Sequence, residues 1–423
     1  MKQSMFVNWQ ALVVVFLFGI ANRVVAVSAG AGEEPQAVYD LHEWGVFPIA
    51  RNDKWAMSDL RAEWATFPAF FYRVWPDKRL THRGAVKKPV IFLHAEKAGL
   101  VQLEVRFAEG RPLVWWPAAV SPAYGAGDNS DQLRFELDLR ELENHKNHRV
   151  HAPPAVDAGH WIETLRKVHS STVTASAGLG GKSGDDYTQE SFVYYDGVMK
   201  APAVPKVTVE NNQVVLETAS EFPLLDVMVV DNTTKSTRFA KTWTEKIDAG
   251  KQTTRIELNF PAADGNGGRQ GLQMMAGVRA EFCKRLCAAG LNADEAESLA
   301  KVWESGLFKH DGLSVFYRVP QEVYEKWLPL TAKPAPKKTV RVGIVFHAHL
   351  EPGLDERVEQ LVAKLAAENF KERQAVQKEL EQIGGASFPV LEKHFNDKDA
   401  QIAKACRDIV NALSTMPALE DKK

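Results

Sequence analysis

"YDLHEWGVFPIAR", residues 39–51, sets His42 and Glu43 side by side, followed by Trp44 and Gly45. A zinc-protease helix of the HExxH type would need a second histidine four residues after the first, so that both imidazoles share one helical face. Position 46 is Val, and Gly45 weakens a helix. The alternative is a strand, in which neighbours 42 and 43 point to opposite faces of a sheet. Only a turn or bulge at Gly45 would aim both into one pocket. The stretch therefore offers two readings: a catalytic pair with Glu43 as general base, or a polar anchor for the N-terminal segment.

Outward from this stretch the chain reads as β-rich to about residue 350. Val101, Leu103, Val105 and Phe107 alternate with Gln102, Glu104 and Arg106, the period of a half-buried strand. Ala108 to Pro112 then turn into Leu113-Val114-Trp115-Trp116, which reads as a hairpin. Leu133, Phe135, Leu137 and Leu139 alternate likewise. Val207 to Leu216 surround Asn211-Asn212, whose side chains tolerate the positive φ of a tight turn. Leu224–Val230, Ile256–Phe260 and Val340–Phe346 supply further strands. A helical pair interrupts at 271–305: Val278, Phe282 and Leu286 recur at helical spacing and Gly290 stops the run. Asn292 with Glu295 then resembles a capping box opening the second helix. Trp161 to Val168 reads as one more short helix. Thr331 to Lys338 is proline-rich and reads as a stiff connector. After Glu351-Pro352-Gly353 everything is helical. The expected fold class is mixed and β-rich, sandwich-like or two stacked antiparallel sheets with inserted helices, followed by a small all-α domain. The expected segments are 1–29, a leader; 30–350, the β-rich domain with a possible break near 200; and 354–415, the helical domain.

The first residues carry Lys2, an eleven-residue apolar run from Ala11 to Ala21, and small residues Val27-Ser28-Ala29 for cleavage after Ala29. That is the pattern of a signal peptide, too short to span a bilayer. The expected location is periplasmic or secreted, with no membrane span after cleavage. Formal net charge is -2, from 52 basic and 54 acidic residues. Such a balance argues against a nucleic-acid partner. Cys283, Cys287 and Cys406 make no disulfide framework, and the first two lie four apart on a helix.

Two resemblances extend this. The stretch 361–413, with its "F.ER..A...L" helix, Gly384-Gly385 break, "PVL" and closing "D.QI...C..I...L" helix, resembles a HEAT-type helical repeat. Such units stack amphipathic helix pairs and offer protein-binding surfaces. The rest resembles a group of uncharacterised exported bacterial proteins that carry an LHEWG(T/V)F string after the leader. "LHEWGVF" (41–47), "KPVIFLH" (88–94), "VWWP" (114–117), "FVYYDGV" (192–198), "AGLNADEAESLAKVWESGLF" (289–308) and "SVFYRVP" (314–320) carry it. Val46 stands where Thr is common in that group. The resemblance implies export and names no activity.

Among groups that could do chemistry, His347 and His349 form an H-x-H that a continuing strand would place on one side, as two ligands of one metal require. His42, His94 or His310 could add a third ligand, with Glu43 acting on a zinc-bound water. His145, His148 and His151 alternate with Lys146 and Arg149 and read as a solvated face. "GLGGKSG" (178–184) lacks the first glycine of a phosphate loop, since position 176 is Ser. Trp44, Trp115 and Trp116 could stack sugars or fill a core; in an alternating strand one of the last two faces out. No complete catalytic set stands in the sequence, so the leading expectation is a non-catalytic envelope binding or scaffold protein contacting a protein or glycan, with no cofactor. The alternative is a metal-dependent hydrolase, with zinc, built on the H-x-H strand and the HEWG segment.

Overall fold

The computed structural model describes residues 36–49, 67–74, 84–121, 130–139, 149–176, 186–200, 202–232, 242–258, 267–309 and 312–414. The leader, His145, His148, the 178–184 loop and His310 lie outside the described residues. Strands are numbered in chain order. A nine-stranded central sheet takes β1 (Val38–Ile49), β2 (Tyr72–Arg73), β3 (Gly84–Lys97), β5 (Arg111–Trp116) and β10 (Val193–Met199). It continues with β13 (Leu224–Asn232), β14 (Thr242–Ile247), β16 (Gly312–Val319) and β18 (Lys338–His347). The six-stranded sheet is built from β4 (Leu100–Arg106), β6 (Gln132–Asp138), β7 (Arg149–His151), β8 (Val173–Ser176), β9 (Asp186–Glu190) and β17 (Leu330–Lys333). The small third sheet is β11 (Lys206–Glu210), β12 (Gln213–Ser220) and β15 (Gly250–Glu257). Helices α1 (Trp161–Leu165), α2 (Gly267–Ala288), α3 (Ala293–Val302) and α4 (Gln321–Trp327) are interspersed. The C-terminal region is helical throughout: α5 (Leu354–Ala363), α6 (Phe370–Ile383), α7 (Phe388–Leu391) and α8 (Ala400–Ser414), with short 3-10 turns between.

The central order is β14-β13-β16-β18-β1-β3-β10-β5-β2, so the first strand of the chain lies mid-sheet. It runs parallel to β18 and antiparallel to β3. The sheet is therefore mixed rather than purely antiparallel. Strands from both sides of residue 200 enter it.

Alternation along β1 sorts its side chains between two cores. Tyr39, Leu41 and Phe47 join a cluster with Leu103 of β4, Phe135 of β6 and Leu216 of β12. That face of the central sheet packs on the two smaller sheets. Trp44 and Val46 join Ile162 of α1, Phe282 of α2 and Leu299 of α3. The opposite face thus packs on helices. A strand covered on both sides is apolar at consecutive positions, and β5 is an example, with Pro112 to Trp116 all buried.

This separates β4 from β5, which the sequence reads as a hairpin. The one-sided strand β4 pairs with β6 and β17, whereas β5 pairs with β10 and β2. The turn between them, with Glu109 at φ 48, hands the chain from one sheet to another. Gly110 is required there, because a Cβ would lie 1.9 Å from the Val198 carbonyl oxygen. The proline-rich connector also differs from expectation, since Leu330–Lys333 forms β17, an edge strand. Edges accommodate nearby prolines because a missing donor there breaks no inner ladder. The Asn211-Asn212 turn is as expected, with φ of 48° and 61° between paired β11 and β12.

Inside the sheet–sheet core, Glu43 of β1 sits opposite Arg341 of β18 and forms an ion pair with it. The Glu43 and Arg341 side chains are 0% and 1% exposed. Tyr195 of β10 donates a hydrogen bond to the same carboxylate. The guanidinium lies 4.2 Å from the Tyr324 ring of α4. Gly45 leaves room for that tyrosine, whose hydroxyl would stand 2.6 Å from a Cβ at position 45.

The Glu43–Arg341 pair and the His394 contacts of the helical region each carry a measurable share of stability. Glu43→Gln strands the guanidinium without its counter-charge and should cost roughly 3–5 kcal/mol in urea unfolding, with Glu43→Leu/Arg341→Met recovering most of it. A cost below about 1 kcal/mol for the single variant would show that the pair is not holding the sheets. The second concerns His394, whose Nδ1 meets Asp397 Oδ2 at 2.7 Å and whose Nε2 meets Glu359 Oε2 at 2.6 Å. The Asp397 and Glu359 carboxylates hold the imidazole above its ordinary range, and His394 in turn holds Asp397 below its own. The histidine contribution is full below about pH 6.5 and is lost as pH rises through the raised value; the Asp397 contribution is lost as pH falls below about 3.9. The thermal stability of the helical region should therefore fall as pH is raised from 6 to 9, and His394→Gln should flatten that dependence.

Candidate functional site

The helix-covered face of the central sheet gathers three residues that are far apart in sequence. His42 lies mid-β1, flanked by Trp44 on the same face. His94 lies on β3, one register step away, since His42 pairs with Phe92 and Asp40 with His94. Glu295 comes from the first turn of α3. Its Oε2 lies 2.8 Å from His42 Nδ1, and its Oε1 lies 2.8 Å from His94 Nε2. The two imidazole centroids are 4.8 Å apart. The Glu295 side chain is 0% exposed, that of His42 6% and that of His94 21%, so the cluster is closed on the His42 side and meets solvent beside His94.

Local sequence explains why a carboxylate is available here. Asn292 precedes α3, and its backbone N–H donates to Glu295 Oε2 at 2.7 Å, the reach-back contact of a capping box. A carboxylate in the first turn also suits the positive end of the helix dipole. The same side chain then extends to the sheet. Asp294 accepts the His169 N–H at 2.6 Å, which ties the loop after α1 to the same helix start. Burial alone would push the Glu295 carboxyl up, but its hydrogen bonds with His42 and His94 outweigh this and hold it at about 2. The same contact raises His94 above its ordinary range against the effect of burial. The Glu295 carboxylate is therefore held in its ionised form between the two imidazoles. Chemically it can share a proton, or hold a cation in place of the imidazole protons.

The sequence-nominated residues divide between locations. His42 and His94 are brought together. Glu43 is not beside them: strand alternation turns it to the opposite face, onto Arg341 and Tyr195. A register shift in the β1–β3 pairing does occur at Gly45, but after position 43, so it does not redirect Glu43. His347 pairs with Ile49, seven residues along β1 from His42, or about 23 Å at strand rise. It also faces the sheet–sheet core, 3.3 Å from the Tyr317 hydroxyl, where burial pushes its imidazole down to about 3. β18 ends at His347, and His349 follows in a left-handed conformation (φ 56) with Glu351 3.8 Å away. One metal centre joining His347 and His349 to His42 or His94 is therefore corrected: the strand that would align the pair stops between them, on the wrong face.

Trp44, Trp115 and Trp116 are 0%, 1% and 4% exposed. Expecting one of Trp115 and Trp116 to face out assumes a sheet with a free side. Here Trp115 enters one core and Trp116 the other. Trp116 Nε1 donates to Glu190 at 3.0 Å, and Glu190 pairs with Arg166. Sequence reasoning identified Glu295 only as a helix cap. Its second task had no local signal, because both imidazoles arrive through sheet register.

Comparison with protein-family models and with curated proteins gives no match. Among solved structures, the chain is similar to the Fcho1 Mu homology domain of Danio rerio with bound Eps15 peptide, at 9% identity and a TM-score of 0.27. The match covers 75% of this chain and 98% of that one. At that TM-score the likeness carries no weight for fold or function. No helix among the described residues is long and apolar enough to cross a membrane.

Replacing Glu295 by Ala removes the cap contact and the shared partner of two largely buried imidazoles. Each lost buried hydrogen bond costs about 1–3 kcal/mol, so the variant should unfold at clearly lower urea concentration than wild type. Asp294→Ala, which removes the link to His169 and leaves the imidazoles paired, should cost less. Equal effects would remove the cluster as an organising contact.

Proposed function

We propose that the protein is an exported, non-catalytic binding or scaffold protein of the bacterial envelope, which engages a protein partner through its C-terminal helical region. The observation that supports this reading is the separate core of that region. Leu354, Val358, Leu380, Phe388, Leu391 and Ile409 belong to a cluster distinct from the two that flank the central sheet. A bundle that only capped the sheets would share apolar side chains with them, because burial against the capped surface is what would hold it there. A unit with its own core keeps outer helix faces for another molecule.

Phe370, the first residue of α6, adds to this. It is 61% exposed, and the Arg373 guanidinium lies 5.6 Å from its ring. Aromatic and arginine side chains are the residue types enriched in protein interfaces. A protein partner is favoured over a glycan, because the three tryptophans nominated for stacking sugars are buried. Export rests on the leader pattern and on the resemblance to exported proteins. A second reading, metal-assisted hydrolysis, is favoured by one observation: the convergence of His42 and His94 with Glu295. In that reading neither Glu43 nor the 347/349 pair takes part.

The test is an envelope pull-down with the mature chain, with a chain lacking residues 354–423, and with Phe370→Ala. The deletion should lose the captured partner, and Phe370→Ala should weaken its capture. Retention of every partner by the shortened chain would make the helical region a cap.

A further inference from the structure

We infer that His42, His94 and Glu295 form a binding site for one divalent transition-metal ion of the zinc type, a role independent of partner binding by the helical region. Each residue offers one ligand atom, and these atoms all lie within 4.8 Å of one another. A tetrahedral zinc with ligand bonds near 2.0–2.1 Å separates its ligands by about 3.3 Å. The three side chains are therefore already gathered on the scale of a first coordination shell, and small rotations suffice.

The donor set selects the kind of ion. Two imidazole nitrogens and one carboxylate oxygen suit zinc and its neighbours, whereas magnesium and calcium favour oxygen alone. Each imidazole now directs a nitrogen at a different oxygen of one carboxylate, at 2.8 Å in both cases. Those two contacts each need a proton on nitrogen or oxygen; a divalent cation placed between the same atoms replaces the protons and balances the carboxylate charge. The support beneath the ligands is rigid. His42 and His94 stand on adjacent strands that are paired at both positions, and Glu295 is braced by the Asn292 N–H at 2.7 Å. Ligating carboxylates are commonly held in this way by an outer hydrogen bond.

Access is one-sided. With the His94 side chain 21% exposed and the other two at 6% and 0%, an ion enters beside His94. Three protein ligands leave at least one coordination position for another group. The site thus resembles an open zinc centre more than a closed structural one with four protein ligands.

The experiment uses the full mature chain, stripped with chelator and titrated with Zn(II) by calorimetry, with Mg(II) as the comparison ion. Wild type should take up one Zn(II) per chain and show a raised thermal midpoint, and Mg(II) should do neither. His94→Ala, at the most exposed of the three positions, should keep the wild-type circular dichroism spectrum. It should weaken Zn(II) binding by more than the roughly 10–100-fold that loss of an outer-shell partner costs. His349→Ala and Cys287→Ser should bind Zn(II) as wild type does. A folded wild-type chain that takes up no Zn(II) overturns the assignment. So does uptake that survives His94→Ala but is lost in Cys287→Ser or His349→Ala, since the ion would then sit elsewhere. Partner capture in the pull-down should be unaffected by His94→Ala, which keeps the two tests separate.

Discussion

Strand β1 is covered on both faces, and that constraint organises the molecule. A mid-sheet strand between two cores buries the side chains along its middle, here Leu41 to Pro48, whichever way they point. It carries His42 and Glu43 at successive positions, so one polar group enters each core. A buried polar or charged group needs a partner, because its desolvation is otherwise uncompensated. Each therefore recruits a counterpart from a distant part of the chain. Glu43 takes Arg341 from the last strand, and His42 takes Glu295 from a helix some 250 residues on. The N-terminal segment is thus tied to both the sheet partner and the helical layer through two adjacent residues.

The two ties differ in what they allow. Glu43–Arg341 is enclosed between sheets, with Tyr195 and the Tyr324 ring around it, and serves to hold β1 against β18. The His42–Glu295–His94 cluster lies beneath a helix start and reaches solvent at His94. Adjacent residues on one strand thus have unlike roles, set by which core each enters. The helical region beyond Gly353 adds a third body of packing with its own core. It brings an exposed aromatic, Phe370, to a protein in which Trp44, Trp115 and Trp116 are buried.

Local pattern was legible where a feature depends on neighbours in sequence. The Asn211-Asn212 turn, the one-sided strands at 101–106 and 132–138, the helix start at Asn292 and the helical run after Gly353 all follow from short-range chemistry. Pairing was less legible. β4 and β5 are adjacent in sequence and joined by a turn, yet they enter different sheets. The sign lay in β5 itself, whose consecutive buried residues mark a strand with no free face. The H-x-H pair failed for a related reason: the strand ends at His347, and nothing in its composition marks that end.

By itself, the sequence determined the alternating strands at 101–106 and 132–138, the helical pair, the helical character of the C-terminal region, and the capping role of Glu295. These rest on periodicities of two and 3.6 and on contacts within one turn, which neighbouring residues dictate. Only the tertiary structure decided that β1 sits between β18 and β3, that both faces of the sheet are covered, and that His94 and Glu295 meet at His42. Sheet register and layer order arise from contacts across hundreds of residues, and no local spacing encodes which distant carboxylate will reach a given imidazole.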